Sequence, residues 1–90
     1  MEIKNSRDLK NALCAGPYAW PGGYPVYFIT DEGATLSFRA VRENYKEVFR
    51  AFREQNDYGW RVIYMDVNWG GYDWYCAHSG ERIESAYGDE

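Results

Sequence analysis

Between Leu36 and Asn56, in the run LSFRAVRENYKEVFRAFREQN, the residues Phe38, Val41, Tyr45, Val48, Phe49 and Phe52 recur at helical intervals. On a helix of ~3.6 residues per turn they fall on one stripe. Arg42, Glu43, Lys46, Glu47, Arg50, Arg53 and Glu54 take the other side. A stripe this rich in rings must be covered, and the short apolar segments flanking it are the only cover the chain offers. The pattern predicts one long central helix, capped by Ser37 and running to about Gln55, with Asn56-Asp57-Tyr58-Gly59 turning the chain back. On its exposed side, Arg39–Glu43 and Arg50–Glu54 are spaced as i,i+4 ion pairs. Arg39, Arg42, Lys46, Arg50 and Arg53 make a basic row, but Glu43, Glu47 and Glu54 interleave with it, which favours a solvated, self-paired face.

Ahead of this helix, Ser6 precedes Leu9, Ala12 and Leu13 at helical spacing, and Gly16-Pro17 stops the run. A short helix over about Arg7–Ala15 follows. GPYAWPGGYP, with prolines four residues apart, excludes helix and central strand and reads as an ordered loop placing Tyr18 and Trp20. Tyr24–Thr30 and Ala34–Phe38 read as two strands joined by a tight Asp31-Glu32-Gly33 turn. After the helix, Trp60–Trp69 is the strongest strand signal. Its alternation puts Ile63, Met65 and Val67 toward the helix and leaves Tyr64 and Asp66 outside. Gly70-Gly71 makes a turn, and Tyr72–Ala77 is expected to pair back as a second hairpin, with Ile83 and Tyr87 docking a tail. The expected fold class is α+β: one domain over residues 1–90, a four-stranded, mainly antiparallel sheet of two hairpins packed on the central helix, in the order α-β-β-α-β-β.

Ninety residues is near the lower limit for burying a core unaided. Four Trp, nine Tyr and four Phe supply the necessary area and more, so some rings are expected at the surface, where Trp and Tyr favour interfaces. The net charge of −4 is unevenly spread: residues 1–30 carry +1, residues 31–61 balance, and residues 62–90 carry −5. An acidic carboxyl-terminal third disfavours phosphate contacts and suits a basic partner. Two cysteines, Cys14 and Cys76, do not make a disulfide framework. With a charged opening segment and no apolar run of ~18 residues, a cytoplasmic protein without a membrane span is expected.

Chemistry is sparsely represented. Cys76-x-His78 could supply two ligands to zinc, but a structural site needs four, and no third group stands ready to orient His78 for nucleophilic catalysis. Asp66 and Asp73 could face each other across Gly70-Gly71, an arrangement more often found among solvated strand ends than at a metal or glycosidase centre. No cofactor, metal site or catalytic residue is expected, and the chain reads as a non-enzyme.

GPYAWPGGYPVYFI, the TLSF and VREN runs, GWRV, DVNW and CAHSGERIESAY together resemble small proteins encoded by bacteriophages and related mobile elements. The resemblance spans most of the chain, from the first helix to Tyr87, and is most specific in the PYAWPGGYP loop and the RIESAY tail. In such sequences the tail resembles part of a cysteine-rich knuckle, of which Cys76 and His78 remain here. Small acidic phage proteins without catalytic apparatus are often inhibitors of bacterial defence, anti-CRISPR proteins among them. The resemblance therefore implies an inhibitor in the bacterial host cytoplasm, monomeric or dimeric. It would bind a Cas subunit or complex on a basic surface normally occupied by target DNA, without binding DNA itself. Asp66, Asp73, Glu81 and Glu84 would stand in for phosphates, and Trp20, Trp69, Tyr72 and Trp74 would be the anchoring rings. The alternative is a phage accessory module that binds nucleic acid or a phage protein through the basic helix row and exposed aromatics.

Overall fold

A computed structural model of the chain describes residues 1–19, 22–54 and 60–86. Helix α1 (Ser6–Ala15) is followed by β1 (Tyr18–Ala19), β2 (Tyr24–Thr30) and β3 (Thr35–Ser37), then by helices α2 (Phe38–Glu43) and α3 (Tyr45–Glu54), and last by β4 (Val62–Val67). The fold is α+β with a four-stranded antiparallel sheet, as the sequence predicts, but its order and pairing differ. The middle strand is β2, flanked by β3 on one edge and β4 on the other, while β1 pairs only with its first two residues.

The β2–β3 hairpin forms as its turn chemistry requires. Gly33 takes a left-handed φ of 83°, its N–H donates to the Thr30 carbonyl, and the Thr30 hydroxyl accepts from Ala34 N–H at 3.1 Å. Ser37 caps α2, its hydroxyl accepting from Ala40 N–H at 3.0 Å. At the front of the chain the cap of α1 is Asn5, whose side chain accepts from Asp8 N–H at 2.9 Å, one residue earlier than the Ser6 start predicts.

The single long helix is corrected to two. Asn44, at φ −117° and ψ 30°, ends α2, and its side-chain amide and backbone N–H both donate to the Ala40 carbonyl. Its own carbonyl then accepts from Glu47 and Val48, starting α3. An asparagine can close one helix with its side-chain amide and open the next with its backbone carbonyl, which a hydrophobic stripe does not reveal. The break also turns Tyr45 out of the predicted stripe: Val41 and Val48 are fully buried, whereas Tyr45 is 45% exposed. The predicted end of the helix and its closing turn, residues 55–59, lie outside the described residues, as does the tail residue Tyr87.

The second hairpin is corrected as well. β4 pairs with β2, not with the residues that follow it, and the ladder shifts between Ile29 and Thr30 because Ile63 is an extra, unpaired residue. This bulge reverses the facing that simple alternation gives two residues, Val62 and Ile63. Val62 enters the core beside Thr30, Ile63 is turned out, and Met65 and Val67 keep the core side opposite Phe28 and Val26. That side meets the helices, where Leu9 and Ala12 of α1, Phe38 and Val41 of α2 and Val48 of α3 complete one core. The Phe28 and Phe38 rings stack at 6.0 Å.

Residues 74–83 instead fold into their own small loop. Tyr75 bridges Arg82, Cys76 N–H donates to the Glu81 carbonyl, and Ile83 N–H donates to the Trp74 carbonyl. This loop docks on the outer edge of β3 through Ala77 N–H to the Thr35 carbonyl and the Thr35 hydroxyl to the Tyr75 carbonyl. On the far edge, Ile3 N–H donates to the Ile63 carbonyl, and Met65 N–H to the Met1 carbonyl. Both outer strands thus have their edges occupied, which removes a route to edge-to-edge association.

Candidate aromatic contact surface

The turn after β4 is built around Asn68, which is 1% exposed. Its side-chain amide donates to the Tyr72 carbonyl at 2.9 Å, and its side-chain oxygen accepts from Tyr72 N–H at 3.1 Å. Its backbone carbonyl accepts from Gly71 and from Ala86. One buried amide thereby fixes the turn and ties it to the carboxyl-terminal segment. Gly70 lies beneath the Tyr72 ring, where a Cβ atom would collide with it, and Gly71 sits at φ 64°.

Two groups of rings flank this turn. Trp69 meets Tyr24 edge-on at 4.7 Å. Tyr72 stacks on Trp74 at 4.9 Å, and Trp74 lies on Tyr27 at 5.5 Å. Tyr27 is buried on the sheet face away from the helices, opposite Asp66 in the ladder, and Trp74 is its cover. The outer rings stay open: Trp69, Tyr72 and Tyr75 are all at least half exposed. Aromatic side chains held in place from beneath and open above keep their area for a partner and lose little rotamer freedom on contact.

The acidic candidates divide. Asp66 is half-buried beside Tyr27, and its carboxylate accepts from Val67 N–H at 2.8 Å. Burial first, and the Asp66 charge second, raise the Tyr27 phenol. Asp73 is exposed and receives a hydrogen bond from Arg82 at 2.9 Å. Glu81 accepts from the Ser37 hydroxyl, and with Glu84 it lines a separate cleft that also holds Arg39, Arg42 and Arg82. Thus Asp66 and Asp73 accompany the rings, while Glu81 and Glu84 stand among arginines. Trp20 lies outside the described residues. Sequence reasoning missed Tyr75 and Tyr24; their signal was only membership in strand-like runs, which does not tell exposed rings from buried ones.

The remaining chemistry centres on Cys76. It is 3% exposed, and Ser79 N–H points at its sulfur at 3.5 Å. Burial by itself would raise this thiol, but hydrogen bonds from the Ser79 hydroxyl and from the N–H groups of Ser79, Ser37 and His78 bring it down from 9.0 to about 7. The His78 ring packs against Trp60 at 4.9 Å. Cys14 is exposed on α1, and both cysteines are free. Among the described residues no three His, Cys, Asp or Glu side chains converge as metal ligands. Because the folded thiol gives up its proton more readily than the unfolded one, the unfolded chain binds more protons between pH 7 and 9. Stability should therefore rise across that window and fall as pH drops through 7. Urea denaturation at pH 6.5, 8 and 9.5 checks this: Cys76→Ala should flatten the rise, and an equal slope in both proteins would show that the N–H groups do not hold a thiolate.

Compared with protein-family models, curated proteins and solved structures, the chain finds no match in any of the three. Fold and surface together define a class nonetheless: a small α+β scaffold whose carboxyl-terminal third presents clamped, open aromatic rings beside two carboxylates.

Proposed function

We propose that this chain is a non-enzymatic inhibitor of a bacterial defence complex, of the anti-CRISPR type, acting from within the host cell by contact with a basic protein surface. The observation that supports it most is the pair of open, anchored rings Trp69 and Tyr72. Trp69 stands edge-on to Tyr24, and Tyr72 stacks on Trp74 above Tyr27 and is held by the Asn68 clamp, while Tyr75 adds a further exposed ring. Rings in this state suit the desolvated centre of an interface. Asp66 and Asp73 would set orientation against Lys or Arg on the partner, Asp73 exchanging its exposed pairing with Arg82 for a partner cation, since such a surface pair is worth little by itself. Glu84 would contribute at the rim, and Glu81 serves mainly to hold the loop to Ser37.

The test is a plaquing assay on CRISPR-immune strains that carry different effector types and express this chain. Inhibition should restore plaquing in at least one type. Reversing charge at the exposed Asp73 and Glu84, with Asp66→Asn at the half-buried position, should remove that effect in a protein that thermal melting shows to be folded. Restored plaquing by the folded triple variant would defeat the acidic part of the reading, and no restoration in any strain would defeat the whole.

A further inference from the structure

The start of α1, the Tyr45–Arg53 stretch of α3 and Arg61 enclose a groove of about 770 Å³. Among the described residues its charged lining consists of Lys4, Lys46, Arg50, Arg53 and Arg61, with no carboxylate. Arg50 has a 3.6 Å contact with Glu47, in place of the Glu54 partner its spacing predicts, and Lys4 a 3.4 Å contact with Glu2. Both pairs are solvent-exposed and easily exchanged for a stronger anion. Lys46, Arg53 and Arg61 have no ion-pair partner among the described residues. A protein of net charge −4 has thus gathered five cations around one concavity.

The order of side chains along α3 says what kind of anion fits. Tyr45-Lys46, Phe49-Arg50 and Phe52-Arg53 place a ring next to a cation at each successive turn of the helix, and all six line the groove. Phe49 and Phe52 are half-buried and packed against the core, while Tyr45 stands edge-on to Phe49 at 5.9 Å and remains 45% exposed. A bare phosphate or a glutamate-rich peptide would use the cations and leave the rings idle. A single-stranded nucleic acid offers a phosphate and a π-face in every unit, matching a lining in which the two alternate. Duplex DNA keeps its bases stacked inside and offers the rings nothing.

We infer that the Tyr45–Arg53 face of α3, with Lys4 and Arg61, is a binding groove for single-stranded nucleic acid. It does not rest on the inhibitor reading, because it uses none of that reading's residues, and it fits equally a chain that touches the exposed strand of a nucleoprotein complex. Lys46, Arg50 and Arg53 contact phosphates, and Tyr45 stacks on one base.

Fluorescence anisotropy of labelled dT12 and rU12 with the full chain tests this, the two oligomers separating DNA from RNA. Binding is expected at 50 mM salt, with log K falling by roughly 2 to 3.5 per tenfold rise in salt if three to five phosphates are neutralised. Lys46→Glu with Arg53→Glu should weaken binding more than tenfold, and Tyr45→Ala at least about fivefold. All three substitutions are at exposed positions, and thermal melting verifies folding. If Tyr45→Ala melts lower, the charge-reversed protein carries the test alone. The inference is overturned by no binding of either oligomer at 50 mM salt, by variants that bind as the original does, or by equal affinity for a 12-base-pair duplex or polyglutamate.

Discussion

Phe28→Ala should be the most damaging single substitution in the chain, costing about 3–5 kcal/mol. Phe28 is fully buried in the middle strand, faces Leu36 on one side and Met65 on the other, and stacks on Phe38 of α2. Truncating it opens a cavity where sheet and helix meet. Neither flanking strand can close it without leaving β2. Ninety residues support a total stability of roughly 5–13 kcal/mol, so the variant should be partly unfolded at 37 °C. Urea unfolding followed by circular dichroism gives the value. Ile63→Ala is the informative partner. Simple alternation along Trp60–Trp69 places Ile63 in the core, but the bulge turns it out, at 42% exposed. Its loss should cost less than about 1 kcal/mol. A cost for Ile63→Ala near that of Phe28→Ala would mean that β4 pairs in the register the sequence suggests.

Asn68→Ala should cost about 2–4 kcal/mol, more than its small change in volume warrants. The substitution strands the Tyr72 N–H and carbonyl that the Asn68 amide satisfies. It also frees the turn that positions Trp69 and Tyr72, so contact with a partner should weaken in the same protein. Asn68→Asp separates the two effects. The carboxylate can still accept from Tyr72 N–H but cannot donate to its carbonyl, and a buried negative charge is added. Asp at this position should therefore be at least as damaging as Ala. If either variant melts like the original, the clamp is not what holds the turn.

Those two positions mark where the sequence was readable and where it was not. Local chemistry was readable. Gly33 in its turn, Ser37 as a cap, Gly16 after α1 and the buried Val41 and Val48 all follow from residues within a few places of one another. Non-local choices were not. Whether β4 pairs with β2 or with the residues after Gly71 depends on which strand offers the better face at long sequence separation, and alternation alone cannot rank the two. Asn44 is only mildly unfavourable within a helix, so nothing in its neighbourhood announces that it ends one helix and starts another. Asn68 and Ile63 acquire their roles from the pairing itself.

The same limit applies to the surfaces. An excess of rings near the carboxyl end was legible from composition, as was the concentration of negative charge there. That Trp74 would cover Tyr27 while Tyr72 stayed open was not, since it depends on the 74–83 loop docking along β3. Nor was the division of the four acids. Glu81 is drawn to Ser37 and the arginine-lined cleft by the turn at residues 77–80, leaving Asp66 and Asp73 with the rings. The basic row on the helix looked self-neutralised when written as a line. Bringing Lys4 and Arg61 alongside α3 makes part of that row a concave groove with no carboxylate among the described lining residues.

Everything proposed for the aromatic surface comes down to whether its open rings make the contact. The direct measurement is calorimetric titration of whichever effector complex the plaquing assay identifies, with the original protein and with Trp69→Ala/Tyr72→Ala, both shown to melt alike. The double variant should lose at least about 100-fold in affinity. Affinity unchanged in a folded double variant would contradict it and move the contact elsewhere on the molecule.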